Sequence, residues 1–243
     1  MSIPKEPHYF SDDINNGRIT ELEMYLNCFN HVYEKGVSTK IGDVYVATGD
    51  KEIFEEVINN NGKSILTNKK HLTGTDRIFE AFEQLKEKNI DYIINLQGDE
   101  PLINTNDIIR LNNLAINNNC DIATLACKLQ KQNIDNQNVV KVICDKNIEN
   151  KELGLAKNFL RSSKNIVSNN IFHHIGIYIY KVSILKKIVN LKPTLNETNF
   201  RLEQLRALDN NIKINVVFSN FAPIGVDTNE DYIEIKNLME YKS

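Results

Sequence analysis

No stretch of this 243-residue chain approaches the apolar length needed to cross a bilayer. Neither sign of charge dominates, with 29 Lys and Arg against 32 Asp and Glu and a formal net charge of -3. The basic residues are dispersed, and no aromatics interleave with them in a patch. Binding to nucleic acid or insertion into a membrane is therefore not expected. Cysteine is scarce: Cys28, Cys120, Cys127 and Cys144 stand apart, without the spacing of a metal cluster. Reduced, mostly buried thiols are expected rather than a disulfide framework or a zinc site. The opening Met1-Ser2-Ile3-Pro4-Lys5-Glu6-Pro7 has no charged-then-apolar leader pattern, so a cytoplasmic location is expected. Internal repeats and low-complexity linkers are also missing.

What remains is an ordinary globular composition, 41% apolar and 25% charged, with enough apolar material for a sizeable core. From about Asp43, short apolar runs alternate with amphipathic segments. Asp43 to Thr48 reads as a strand. Asp50 is placed to cap a helix that carries Ile53, Phe54, Val57 and Ile58 on one face and ends at Gly62. Ser64 to Thr67 reads as a strand, and a helix follows with Ile78, Phe79, Phe82 and Leu85 inward. Tyr92 to Gln97 is the next strand. This alternation predicts right-handed crossovers and a doubly wound, mostly parallel α/β sheet.

Further on, Asp121 to Ala126, Val139 to Ile143, Ile175 to Tyr180 and Ile214 to Phe218 read as strands. Ser183 to Leu191 and Asn199 to Asn210 read as helices. Thr228-Asn229-Glu230-Asp231 has a capping-box pattern opening a last helix that buries Ile235 and Leu238. Residues 149–171 look irregular. Residues 1–30 show no strand, although Thr20 to Lys35 can form a helix.

The run Gln97-Gly98-Asp99-Glu100-Pro101 closes the third strand with two carboxylates. In open α/β sheets ligands bind at that end, and an acidic residue there is placed to hold a divalent cation against phosphates. Gly225-Val226-Asp227-Thr228 repeats the arrangement late in the chain. His71 to Arg77 links a strand to a helix; Gly74 admits close backbone approach and the helix-start amides can meet polar ligand edges. The same loop would also serve as a plain cap with Thr75 at the N-cap. His174, Gly176 and Tyr178 share one strand face. Arg201 to Arg206 places Glu203 and Gln204 on a helix whose Leu202 and Leu205 point inward.

Taken in order, Val46-Ala47-Thr48, His71 to Arg77, Gln97 to Pro101, Val139-Val140-Lys141-Val142, His174 to Tyr178, Glu203-Gln204-Leu205-Arg206 and Gly225 to Thr228 resemble the 3-deoxy-manno-octulosonate (Kdo) cytidylyltransferase family, from about residue 31 to the C-terminus. The resemblance implies a nucleotide-diphospho-sugar-transferase sheet in one domain spanning 1–243. About 120–212 would form an antiparallel and helical portion for the sugar site and a homodimer contact. It implies transfer of CMP from CTP to Kdo with magnesium, for lipopolysaccharide biosynthesis. Asp99 and Asp227 would be the metal ligands, and Thr73, Gly74, Thr75 and Arg77 would meet the nucleotide. Gln97, His174, Tyr178, Glu203 and Gln204 would bind the sugar acid, with Arg161 pairing its carboxylate. The alternatives are activation of a related sugar acid such as an amino-substituted Kdo, or a catalytically impaired or truncated remnant of the family.

The chain departs from the family at its start. The usual first strand and its triphosphate loop are not recognisable in residues 1–30. That strand is normally central, so its two neighbours are expected to carry unpaired ladder groups. Gly49 stands where the family usually has an acidic residue.

Overall fold

A computed structural model of the chain describes residues 21–71, 73–86, 89–150, 153–162, 169–222, 225, 233 and 235–237, with the backbone alone for 21–27. Helix α1 (Glu21–Ser38) is the expected opening helix, extended by three residues past Lys35. Strand β1 (Val46–Thr48) leads to α2 (Lys51–Asn59), where the Asp50 carboxylate accepts the Glu52 N–H as an N-cap should. Then come β2 (Ser64–Leu66), α3 (Gly74–Leu85) and β3 (Tyr92–Asn95). Strand β1 starts three residues later than expected, because its first backbone bond is from Val46 N–H to Lys63 O.

The chain continues through α4 (Thr105–Asn117), β4 (Ile122–Lys128), β5 (Lys141–Cys144), β6 (Gly154–Leu160) and β7 (Ile171–Lys181). It then passes through α5 (Val182–Val189), α6 (Leu195–Phe200), α7 (Gln204–Asp209) and β8 (Ile214–Ser219). The segment that looked irregular contains β6. The helix expected over 199–210 is two helices. Thr194 and Glu197 form a capping box that starts α6 early, and Arg201 at φ 53° breaks it before α7 begins. The capping box expected at Thr228 to Asp231 lies outside the described residues.

The fold is α/β with a mixed sheet system rather than a single mostly parallel one. Strands β1 and β2 pair in parallel as one sheet, and the other strands run β3-β7-β4-β8-β6-β5 in a second. Within the second sheet β4 and β8 pair in parallel, and the other pairings are antiparallel. Among the described residues no strand joins β1 to β3, and each ends its sheet, in line with the expectation from a sequence whose first strand is not recognisable. Gly36, near the end of α1, packs against both Val44 before β1 and Leu96 after β3.

Side-chain alternation along β4 and β7 builds a core on each face of the larger sheet. One cluster takes Ile122, Ala126, Phe172, Tyr178 and Tyr180 with Leu185, Leu205 and Ala207. The other takes Ala123, Leu125, Ile175, Ile177 and Ile179 against Ile108, Leu111 and Ala115 of α4. Fully burying one such aliphatic side chain contributes about 1.5–3 kcal/mol. The four cysteines are free and buried, as expected.

Candidate active site

Three elements converge on one cavity: the start of α3, the middle of β7 and the turn between α6 and α7. Thr73, and not Thr75, is the N-cap of α3, its hydroxyl oxygen accepting from Asp76 N–H. Thr75 is thereby turned inward and buried. Its hydroxyl lies 3.5 Å from Tyr180 Oη and within hydrogen-bond reach of the Glu203 carboxyl, which Thr73 also approaches. Thr75, Tyr178, Tyr180, Glu203 and Gln204 line a small half-open cavity of about 30 Å³, floored by Ile122, Ile188, Ala207 and Ile214. Tyr178 Oη and Glu203 Oε1 are buried there without a hydrogen-bond partner.

Burial holds the Tyr178 phenol well above its usual range and raises the Glu203 carboxyl, with Thr75, Thr73 and Arg206 pulling the latter back. Tyr178 stacks on Tyr180, with centroids 5.7 Å apart, and leans on the His174 ring at 5.3 Å.

Beside this cavity, β7 carries a bulge. Thr124 faces Tyr178 and Leu125 faces Ile175, so Gly176 and Ile177 have no opposite residue on β4. The bulge adds two residues, which keeps His174, Gly176 and Tyr178 on one face. Gln97 lies directly against Gly176, where a Cβ would stand 2.8 Å from its amide and would push that side chain aside. Gly98 is also tightly placed, with the Phe29 ring where its Cβ would be.

The Glu100 carboxyl reaches under the bulge and accepts the Gly176 N–H. Burial first, and the Asp99 charge second, push Glu100 up to about 8, and its Oε2 is buried without a partner. Gly225 comes back to this point: its Cβ position lies 3.9 Å from the Asp99 carbonyl. Asp227 itself lies outside the described residues. Among the described residues no three His, Cys, Asp or Glu side chains gather into a metal-ligating group.

Two expected site residues are occupied elsewhere. The Arg77 guanidinium donates to Thr67 Oγ1 at 2.7 Å and to Asn68 O, tying α3 to the exit of β2. It lies over Gly49, where a Cβ would meet its Nη1 at 2.7 Å. Arg161 donates from Nε to Phe200 O, from Nη1 to Gln137 O and from Nη2 to Arg201 O. The Phe200 and Arg201 carbonyls belong to the break between α6 and α7 and that of Gln137 to the segment before β5, so Arg161 clamps the turn that presents Glu203 and Gln204 to that segment. Glu100, Thr124 and Tyr180 were not singled out from the sequence. Glu100 had a signal, since it shares the carboxylate pair with Asp99.

A family model described as cytidylyltransferase matches residues 24–214. The 3-deoxy-manno-octulosonate cytidylyltransferase of Thermodesulfovibrio yellowstonii is 43% identical over 218 residues, 83% of each chain. That of Fusobacterium nucleatum is 38% identical over 86% of this chain and 84% of its own. Among solved structures, CMP:2-keto-3-deoxy-manno-octonic acid synthetase complexed with CTP superposes with a TM-score of 0.80 at 29% identity, over 89% of each chain. Apo UDP-glucose pyrophosphorylase, at 12% identity and TM-score 0.64 over 88% of this chain and 87% of its own, shares the fold.

Proposed function

This chain belongs to the cytidylyltransferase family, and on that premise we propose that it transfers CMP from CTP to 3-deoxy-manno-octulosonate, releasing pyrophosphate. The product would serve lipopolysaccharide biosynthesis. The observation that carries the reading is the pair of orphaned buried oxygens, Tyr178 Oη and Glu203 Oε1, on one cavity beside the carboxyl end of β3. A buried polar atom without a partner costs roughly 1–3 kcal/mol. Two in one place mark a site completed by a polar ligand. The cavity admits only the hydroxyl groups of a sugar acid, whose body would lie across Gln97, Gly176 and His174.

The backbone amides at the start of α3, around Thr73, Gly74 and Thr75, are placed to take the nucleotide's cytosine end. Arg77 supports that loop from the β2 side. The sugar hydroxyl that attacks the α-phosphate belongs to an anion approaching an anion. The arrangement at β3 suits a divalent cation: Asp99 stands at the strand's carboxyl end, Gly225 returns beside it, and the neighbouring Glu100 already feels excess negative charge. We assign Asp99 and Asp227 to hold magnesium, which takes one or two carboxylates with phosphate oxygens and water. When bound, it would neutralise the phosphate charge and set an in-line geometry. The α6–α7 turn, fixed by Arg161, orients the sugar acid through Glu203 and Gln204.

We take residues 1–243 as one nucleotidyltransferase domain with about 120–212 as its sugar-acid portion. A homodimer through that portion is supported by Leu195 at 82% and Phe200 at 52% exposure on α6. The described residues include no helix long and apolar enough to cross a membrane. Four free buried thiols suit a reducing compartment, and the cytoplasm is the location proposed.

Pyrophosphate release is the test. With CTP and magnesium it should depend on Kdo, and Asp99→Ala should lower it by about a hundredfold or more. Release that ignores Kdo would remove the sugar acid, and a fully active Asp99→Ala would remove the metal assignment.

A further inference from the structure

Thr124 is fully buried in the middle of β4, at 0% exposure. Its Oγ1 lies 2.7 Å from Ile177 O, 3.1 Å from Ile175 O and 3.0 Å from His174 Nε2. A hydroxyl has one proton, and carbonyl oxygens can only accept. If that proton went to His174, two carbonyl oxygens would face bare lone pairs on Oγ1 in a dry interior. Given instead to a carbonyl, Ile177 O being nearer, it leaves Oγ1 as an acceptor for His174. The hydrogen in the contact with His174 must then come from Nε2.

We propose that Thr124 is a positioning residue that holds His174 as its Nε2–H tautomer, leaving Nδ1 a bare acceptor that reads a hydroxyl of the sugar acid and turns away its carboxylate. The ligand half rests on the proposed function; the tautomer does not. Both carbonyls belong to the bulged stretch of β7, so the same hydroxyl fixes the bulge and the ring. The Phe159 ring meets the imidazole edge-on at 5.1 Å and Tyr178 leans on it at 5.3 Å, which limits other orientations. Burial pushes the imidazole down to about 3, so the ring is neutral and its tautomer decides what it can recognise. A lone pair on Nδ1 attracts a hydroxyl hydrogen and repels a carboxylate oxygen.

Nitrogen-15 NMR of the histidine-labelled full chain, free of substrates, reads the tautomer directly. The parent protein and Thr124→Ser should show His174 protonated on Nε2, and Thr124→Val should shift protonation to Nδ1. Steady-state kinetics should then show Thr124→Val raising KM for the sugar acid roughly tenfold. KM for CTP should not change, and Thr124→Ser should restore the parent value. A parent ring protonated on Nδ1 overturns the proposal. So does a Thr124→Val variant that keeps both the tautomer and the sugar KM. Nε2 protonation without any Kdo-dependent turnover overturns the ligand half and the proposed function, while the hold of Thr124 on His174 stands.

Discussion

His174 and Glu100 are both buried at the site, and they load the pH dependence of stability from opposite sides. Burial lowers His174 from 6.5 to about 3. Above 6.5 folded and unfolded chains both keep it neutral, and the folded state has its full advantage. As pH falls from 6.5 toward 3, only the unfolded chain binds the proton, so stability is lost. Glu100 is raised from 4.5 to about 8, so its contribution is complete below 4.5 and is lost as pH rises through 8. Thermal melts across pH should show the acid decline flattened in His174→Gln and the alkaline decline flattened in Glu100→Gln. Equal pH profiles for variants and parent would mean that neither group stays buried. The motif residues around these two were legible because small and acidic residues at a strand end stand out against an apolar run. Thr124 was not, since a buried threonine inside a strand has the same pattern as a valine. Arg161 was read as a ligand group because its local motif does not show that Gln137, Phe200 and Arg201 present three carbonyls to it.

The α6–α7 pair is the element on which the sugar-acid site depends. Glu197, in the first turn of α6, accepts from Arg206 Nε at 2.8 Å and from its Nη2 at 2.5 Å, with both side chains nearly inaccessible. Removing one partner from a buried pair leaves an uncompensated charge, at about 3–5 kcal/mol. Glu197→Ala should therefore lose about that much in denaturant unfolding, whereas Thr194→Ala, which removes the cap and an exposed hydrogen bond to Asp209, should lose only about 1–2 kcal/mol. In Glu197→Ala the KM for the sugar acid should rise as well, because Glu203 and Gln204 follow the turn. Indistinguishable stabilities would show that the pair does not anchor it. The helical period placed α2 and α3 closely, and Asp50 marked its cap. It merged α6 and α7, because Leu202 and Leu205 continue the apolar spacing across a break that Arg201 makes by entering the left-handed region. Strand β6 was hidden for a different reason: it leaves Lys157 and Asn158 exposed side by side, which breaks a simple alternation.

At the scale of the whole molecule, two sheets share helices rather than strands. Helix α3 touches β1, β2 and β3, and α1 lies against both α2 and α4. The order of strands in the larger sheet could not be read from the sequence, since β7 pairs with β3, β4 and β5 at long separation. If Leu195 and Phe200 are covered by a second copy, Leu195→Glu with Phe200→Glu should shift sedimentation from dimer to monomer; a parent protein that already sediments as a monomer would remove the dimer. The buried thiols described with the core have one more consequence. Burial raises Cys28 to about 11 and both Cys127 and Cys144 to about 12, so in the closed molecule they are almost entirely protonated and inert to alkylation. Each can react only when its own surroundings open. Cys28 lies in α1, Cys127 in β4 and Cys144 in β5. The chain thus carries a built-in set of clocks, and the order in which an alkylating reagent finds them would time the opening of the first helix against that of the large sheet.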